Sequence, residues 1–174
     1  MIGKWWSFTG LVLSAMAVWT LGAADAQAQN SNGELFFVHG LPGDDLDTDM
    51  VDVPNNLPVD VCVGLPGNLN CIFAGVEFGT FSTPLSLSPG NYQVTVALAD
   101  PDNPGANPPV ITGTISLRSR QSVTFVAHLS TNGVPVGTAF LNSQQRIMTG
   151  KSRLVVRHVA NAPAVDVTLT SPIN

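Results

Sequence analysis

Tyr92, Val94, Val96 and Leu98 share one face of a short segment whose other face carries Gln93 and Thr95. A period of two puts successive side chains on opposite sides of an extended backbone, so this stretch fits a half-buried β-strand and not a helix. The rhythm recurs down the chain. Ile111, Gly113, Ile115 and Leu117 alternate with threonines and a serine, and Val123, Phe125, Ala127 and Leu129 alternate with Thr124, Val126 and His128. Further strands are expected at Leu35–Val38, around Val59, Val61 and Val63, from Ile72 to Phe78, at Leu85 and Leu87, and from Val136 to Asn142. Ser88-Pro89-Gly90-Asn91 places Pro second and Gly third, as a type II turn requires, because Pro fixes φ and Gly tolerates the positive φ that follows. Asp100 to Pro109 holds four prolines, which cannot donate to a ladder, and reads as a loop. No segment after the first 28 residues shows a helical period. Many short strands with turns between them predict an all-β chain folded as a sandwich.

The N-terminus has a different character. Lys4 precedes a run from Trp5 to Ala24 with no charge, and small residues follow as Ala23-Ala24-Asp25-Ala26-Gln27-Ala28. Positive, then apolar, then small is the layout of a secretory signal peptide. Cleavage is expected between Ala28 and Gln29, with Ala24-Asp25-Ala26 as a second option. An uncharged run of this length could also span a bilayer as an uncleaved anchor. Two tandem A-x-A options and the polar residues after them favour cleavage. No cysteine follows the run, which argues against a lipid anchor. The chain is expected to be exported to the periplasm, the cell surface or the medium, touching membrane only through this peptide.

What remains, about 145 residues, suffices for one domain with its own core. The chain carries 12 acidic and 7 basic residues, a balance that argues against nucleic acid as a partner. The charges are also segregated. Ten acidic residues and no Lys or Arg lie between Glu34 and Asp102, whereas Arg118, Arg120, Arg146, Lys151, Arg153 and Arg157 carry all the positive charge after Lys4. Such asymmetry suits an internal pairing of faces, a head-to-tail contact between copies, or simple solvation. The two cysteines, Cys62 and Cys71, flank a segment that reads as a hairpin loop, and in an exported protein such a pair is expected to oxidise.

An internal repeat organises the rest. Leu35-Phe36-Phe37-Val38-His39-Gly40 is followed by Pro58-Val59-Asp60-Val61-Cys62-Val63. Leu154-Val155-Val156-Arg157-His158-Val159 is followed by Ala164-Val165-Asp166-Val167-Thr168-Leu169. Each is an apolar strand ending in His, a turn, and a V-D-V strand. The first copy carries an insertion in the turn. The run Arg157-His158-Val159-Ala160-Asn161-Ala162-Pro163-Ala164-Val165-Asp166-Val167 resembles the opening of the domain of unknown function 4397 family of exported bacterial proteins. Leu87 to Val96 looks like that family's middle Gly-x-Tyr strand, and Ser122 to Ala127 is similar to its later strand. The resemblance implies an immunoglobulin-like antiparallel β-sandwich outside the cytoplasm and carries over no catalytic residue. The implied organisation is a signal peptide over 1–28, a short linker over 29–33, a sandwich over 34–142, a linker over 143–152, and a partial second repeat of two strands over 153–174. Two strands make no stable domain. Either the tail self-associates by adding strands to another copy's sheet edge, or it opens a second domain cut off at Asn174.

Three places could carry chemistry. Asp45, Asp47 and Asp49 in the insertion alternate as hard oxygen ligands for Ca²⁺ would, although Met50 stands where an EF-hand needs Gly and the plain alternative is a solvated acidic loop. His39, His128 and His158 could bind metal or move protons. Because His39 and His158 hold equivalent repeat positions, both are expected to bond the backbone of the turn that follows, and His128 is expected on an exposed face. No nucleophile elbow, phosphate loop or dinucleotide fingerprint is present. The expected function is therefore a non-catalytic module outside the cytoplasm, structural, adhesive or binding a surface protein or polysaccharide. A Ca²⁺-dependent ligand-binding module using Asp44–Asp52 is the alternative, and an enzyme the remote third.

Overall fold

The computed structural model describes residues 31–43, 55–159 and 161–170. Among them there is no helix, and eight strands form two sheets. In chain order these are β1 (Gly33–His39), β2 (Val59–Leu65), β3 (Asn68–Val76), β4 (Leu85–Leu87), β5 (Gly90–Leu98), β6 (Pro109–Leu117), β7 (Ser122–Leu129) and β8 (Pro135–Asn142). One sheet runs β4-β1-β7-β8 and the other β3-β2-β5-β6. All pairs are antiparallel except β1 and β7, which run parallel from Glu34 beside Ser122 to His39 beside Ala127. The first strand thus closes on the seventh, a pairing that a reading of adjacent segments does not reveal.

The core lies between the sheets. Leu35 and Phe37 of β1, with Val123, Phe125 and Ala127 of β7, face Val59, Val61 and Val63 of β2, Val94 and Val96 of β5, and Ile111 and Ile115 of β6. The alternation in sequence supplies this inner surface directly. Phe125 sits at its centre, 1% exposed. Two glycines make its space: a Cβ on Gly137 of β8 would come 2.1 Å from the Phe125 ring, and one on Gly113 of β6 would come within 2.8 Å. Any other residue at either position would collide with this buried ring.

Two expectations need correction. Gly90 does not take positive φ, and the left-handed glycines that follow a proline are instead Gly67, at φ 83°, in the tight β2–β3 turn and Gly105, at φ 82°, in the 99–108 loop. The reason is topological. β4 and β5 belong to different sheets, so Ser88-Pro89 is a crossing between layers and Gly90 already pairs with Leu117 as strand. β7 is buried on both faces rather than one, because it lies between two neighbours and its outward Thr124 and Ser122 bond Asn142 of β8. The two runs expected to open a second repeat are not paired into strands in 151–159 or in 161–170. A strand gains its stability from a neighbouring strand and a buried face, and neither run has both here.

Candidate functional site

The sandwich has two ends of different character. β1 finishes at His39, β2 begins at Val59, β5 finishes at Leu98 and β6 begins at Pro109, so the connections 40–58, 77–84, 99–108 and 130–134 gather at one end. The turns at 66–67, 88–89 and 118–121 and the chain after Asn142 gather at the other.

At the first end, His39 is fully buried. The Leu41 N–H donates to its Nδ1 at 3.2 Å, which leaves the proton on Nε2 to be donated to the Leu57 carbonyl at 2.8 Å. The ring therefore ties the end of β1 to the residue two before Val59. His158 repeats the bond: its Nε2 meets the carbonyl of Pro163, two residues before Val165. The expected backbone role of these two histidines is thus seen at both positions. Burial holds the pKa of His39 below the ordinary imidazole value, against a smaller upward pull from the bond to Leu57. An unfolded histidine then binds a proton that the folded one refuses, so stability is complete above the ordinary imidazole pKa and falls as pH drops below it. The melting temperature is expected to decline between neutral pH and pH about 5, and a His39→Gln protein, less stable throughout, should show a flatter decline.

Asp60 is the residue that sequence reasoning passed over as a mere motif letter. It lies between core valines on β2, is 1% exposed, and carries a carboxylate. Oδ1 accepts the Gly75 N–H at 2.9 Å, and Oδ2 accepts the N–H groups of Asp100 at 3.0 Å and Gly105 at 2.9 Å. Burial alone would push the carboxyl pKa up, but the amides of Asp100, Gly105 and Gly75 together hold it below the usual carboxylate range. The register of β2 against β3 shifts between Val59 and Cys62, and Gly75, left-handed at φ 61°, belongs to that irregular stretch. Asp60 satisfies an amide of β3 there and pins the proline-rich 99–108 loop at two points. The available signal was a lone carboxylate recurring, as Asp166, in the middle of an apolar strand.

That loop covers the disulfide. Cys62 and Cys71 face each other across β2 and β3 and are bonded. Gly105 lies over them so closely that a Cβ there would be 2.2 Å from Cys71 Sγ. The bridge closes a short hairpin loop, and replacing both cysteines by alanine is expected to cost about 2–3 kcal/mol in urea unfolding.

His128 is half-buried, not exposed, and its two ring nitrogens meet the Leu129 carbonyl and the Thr138 hydroxyl, each at 2.8 Å. The sheet neighbour β8 supplies the cover that strand alternation could not foretell. Asp45, Asp47 and Asp49 lie outside the described residues, as do Ala28 and Gln29. Among the described residues no group of three His, Cys, Asp or Glu is placed to hold a metal ion.

At the second end the positive charge collects. Arg118 and Arg120 are exposed in the β6–β7 turn, beside a concavity of about 540 Å³ lined also by Gln121, Leu141 and Asn142. The chain after β8 folds back here: Arg153 Nη1 donates to Ser143, and Arg157 Nη2 donates to the Leu141 carbonyl at 3.2 Å and to Asn142. The Arg157 guanidinium also lies 4.8 Å from the centre of the Phe140 ring. These contacts are with neutral groups, so the charge of both arginines is left uncompensated by them.

The fold and its fixed residues define a disulfide-stapled β-sandwich in which a buried histidine and a buried aspartate hold the loops of one end. The family model described as "Domain of unknown function (DUF4397)" matches residues 50–168, and the chain belongs to that family. The match starts past β1 and ends in the tail, within the second V-D-V segment. No curated protein matches the chain.

Proposed function

We propose that this chain is a non-catalytic, extracytoplasmic sandwich module with a structural or adhesive task at the cell surface. The observation that carries the reading is how the motif residues are used. Both ring nitrogens of His39 and both carboxylate oxygens of Asp60 are turned to backbone groups, so the side chains best equipped for acid–base chemistry serve to hold loops. The bridge between Cys62 and Cys71 suits an oxidising compartment. Export rests on Lys4, the uncharged run after it, and Ala26-Gln27-Ala28. Fractionation of cells making the full chain, with the N-terminus of the product sequenced, tests it. The expected product lies outside the cytoplasm, begins at Gln29 and has no free thiol. A cytoplasmic product that retains Met1 and two reactive thiols would overturn the reading.

A further inference from the structure

The arginines of the second end line two concavities that adjoin. One, of about 540 Å³, is bordered by Arg118 and Arg120 of the β6–β7 turn and by Gln144. The other, of about 300 Å³, is bordered by Arg153 and Arg157 of the returning chain. Asn142, Ser143 and Gln145 line both, so the two meet as one groove where the chain leaves β8. Among the described residues no carboxylate lines either part. Glu34 is exposed at the same end of the sandwich but borders neither.

Neutral partners hold these cations in place without cancelling their charge. Arg157 donates through Nη2 to the Leu141 carbonyl at 3.2 Å and to Asn142 Oδ1 at 3.3 Å, and its guanidinium lies over the Phe140 ring. Arg153 donates through Nη1 to the Ser143 hydroxyl at 2.6 Å and to the Gln145 carbonyl at 3.4 Å. Each set of contacts uses one nitrogen of a fork that carries five N–H donors, so the other N–H groups are left for a charged acceptor. The backbone beneath the other pair is fixed as well. The Arg118 N–H donates to Gln121 Oε1 at 2.8 Å, and the Arg120 N–H donates to the carbonyls of Ser31 and Asn32. Both of these side chains are exposed. Placing the cations before a ligand arrives lowers the ordering cost of binding. Like charges gathered along one groove repel, and a ligand that carries oxyanions relieves that repulsion.

We propose that this groove binds an acidic polysaccharide, a sugar chain bearing carboxylate or sulfate groups. The guanidinium fork matches the paired oxygens of either group. A single small anion would engage the arginines of one concavity, whereas a chain with repeated charges reaches Arg118 and Arg120 in one and Arg153 and Arg157 in the other. The exposed amides of Gln144 and Gln145 offer donors and acceptors that suit sugar hydroxyls. A nucleic acid fits less well. Among the described residues no aromatic ring lines the groove to stack a base, and the nearby Phe140 already carries Arg157. The inference goes beyond the module reading above and does not rest on it, because binding is measured on purified protein wherever the cell places it.

Calorimetric titration of the purified protein, as cells yield it, tests the proposal with heparin, polygalacturonate, neutral dextran and a single-stranded DNA oligonucleotide. At least one of the two acidic polysaccharides is expected to bind at low salt and to weaken as salt rises, while dextran does not bind. The tighter of the two tells sulfate from carboxylate. Arg118→Gln with Arg120→Gln should weaken binding about tenfold or more, and so should Arg153→Gln with Arg157→Gln. Arg146 and Lys151 border neither concavity, so Arg146→Gln with Lys151→Gln removes the same charge and should weaken binding only about twofold or less. The Arg118 and Arg120 side chains are exposed, so their double variant should keep the melting temperature of the parent, which separates lost binding from misfolding. Four results would overturn the proposal: no binding of either acidic polysaccharide at low salt, unchanged affinity in both groove variants, an equal loss in the Arg146 and Lys151 variant, or DNA bound more tightly than both polysaccharides. The third would reduce the attraction to net charge, and the last would assign the groove to a nucleic acid.

Discussion

Replacing Asp60 by alanine is expected to destabilise the fold by about 3–5 kcal/mol, because three backbone N–H groups lose a charged acceptor, each such bond contributing about 1.5–3 kcal/mol, while relief of the carboxylate's own burial offsets part of that sum. The loss is not confined to one contact. Gly75 sits in β3, while Asp100 and Gly105 bracket the loop over the Cys62–Cys71 bridge, so one side chain ties two segments to β2. Asp60→Asn keeps the shape but turns one acceptor oxygen into a donor NH₂ that faces an N–H, and it should recover only part of the stability. The pH dependence has a definite sign. With a folded pKa below the unfolded one, the stabilisation is full above the ordinary carboxylate range and is lost as pH falls through the folded value. Urea unfolding at neutral and at acid pH reads both effects, and the difference between Asp60 and Asp60→Ala proteins should shrink in acid.

Phe125→Ala should cost about 3–5 kcal/mol, the range for removing a fully buried ring without collapse of its surroundings. Collapse is difficult here because the ring is faced by Gly113 and Gly137, which have no side chains to move into the void. It also stacks at 6.5 Å from Phe37 of the parallel neighbour β1, so the loss reaches the strand that closes the sheet. The converse change, Gly137→Val, overfills the same space and should lower the melting temperature strongly. A pair of changes, Phe125→Ala with Gly137→Val, should be less damaging than the sum of the two alone.

The parts of this fold that are written locally were legible in the sequence. Tyr92 to Leu98 and Ile111 to Leu117 declare their strands by alternation, and the buried face follows from it in β6, whereas β5 is buried on both faces from Val94 to Ala97 and leaves Leu98 exposed. Cys62 and Cys71 announced a hairpin staple. The roles of His39 and His158 were legible because each ends an apolar run ahead of a turn and a V-D-V segment, and their bonds to the carbonyls of Leu57 and Pro163 match. What depends on distant partners was not legible. The parallel pairing of β1 with β7 joins segments that no local pattern connects. The burial of His128 depends on Thr138 of β8, and Gly90 depends on a crossing between sheets. Gly105 reads as one glycine in a proline-rich loop, and only the disulfide beneath it explains why a side chain is excluded.

The same division holds for the candidate site. Charge segregation was plain in the order of residues, but its conversion into two opposed ends required the sheet order. Asp60 illustrates the harder case. A carboxylate amid valines conflicts with the apolar strand around it, and such conflicts are resolved by hydrogen bonds that only the folded chain supplies.

The central claim of the proposal is that His39, like His158, is an architectural tie between a strand end and the turn that follows it. Nitrogen NMR of the imidazole of His39 at neutral pH tests it most directly. The expected signal is a single neutral tautomer with its proton on Nε2, unmoved by added zinc or calcium and not titrating in the ordinary imidazole range. A ring that exchanges tautomers, titrates as a free histidine does, or shifts on metal addition would contradict the claim.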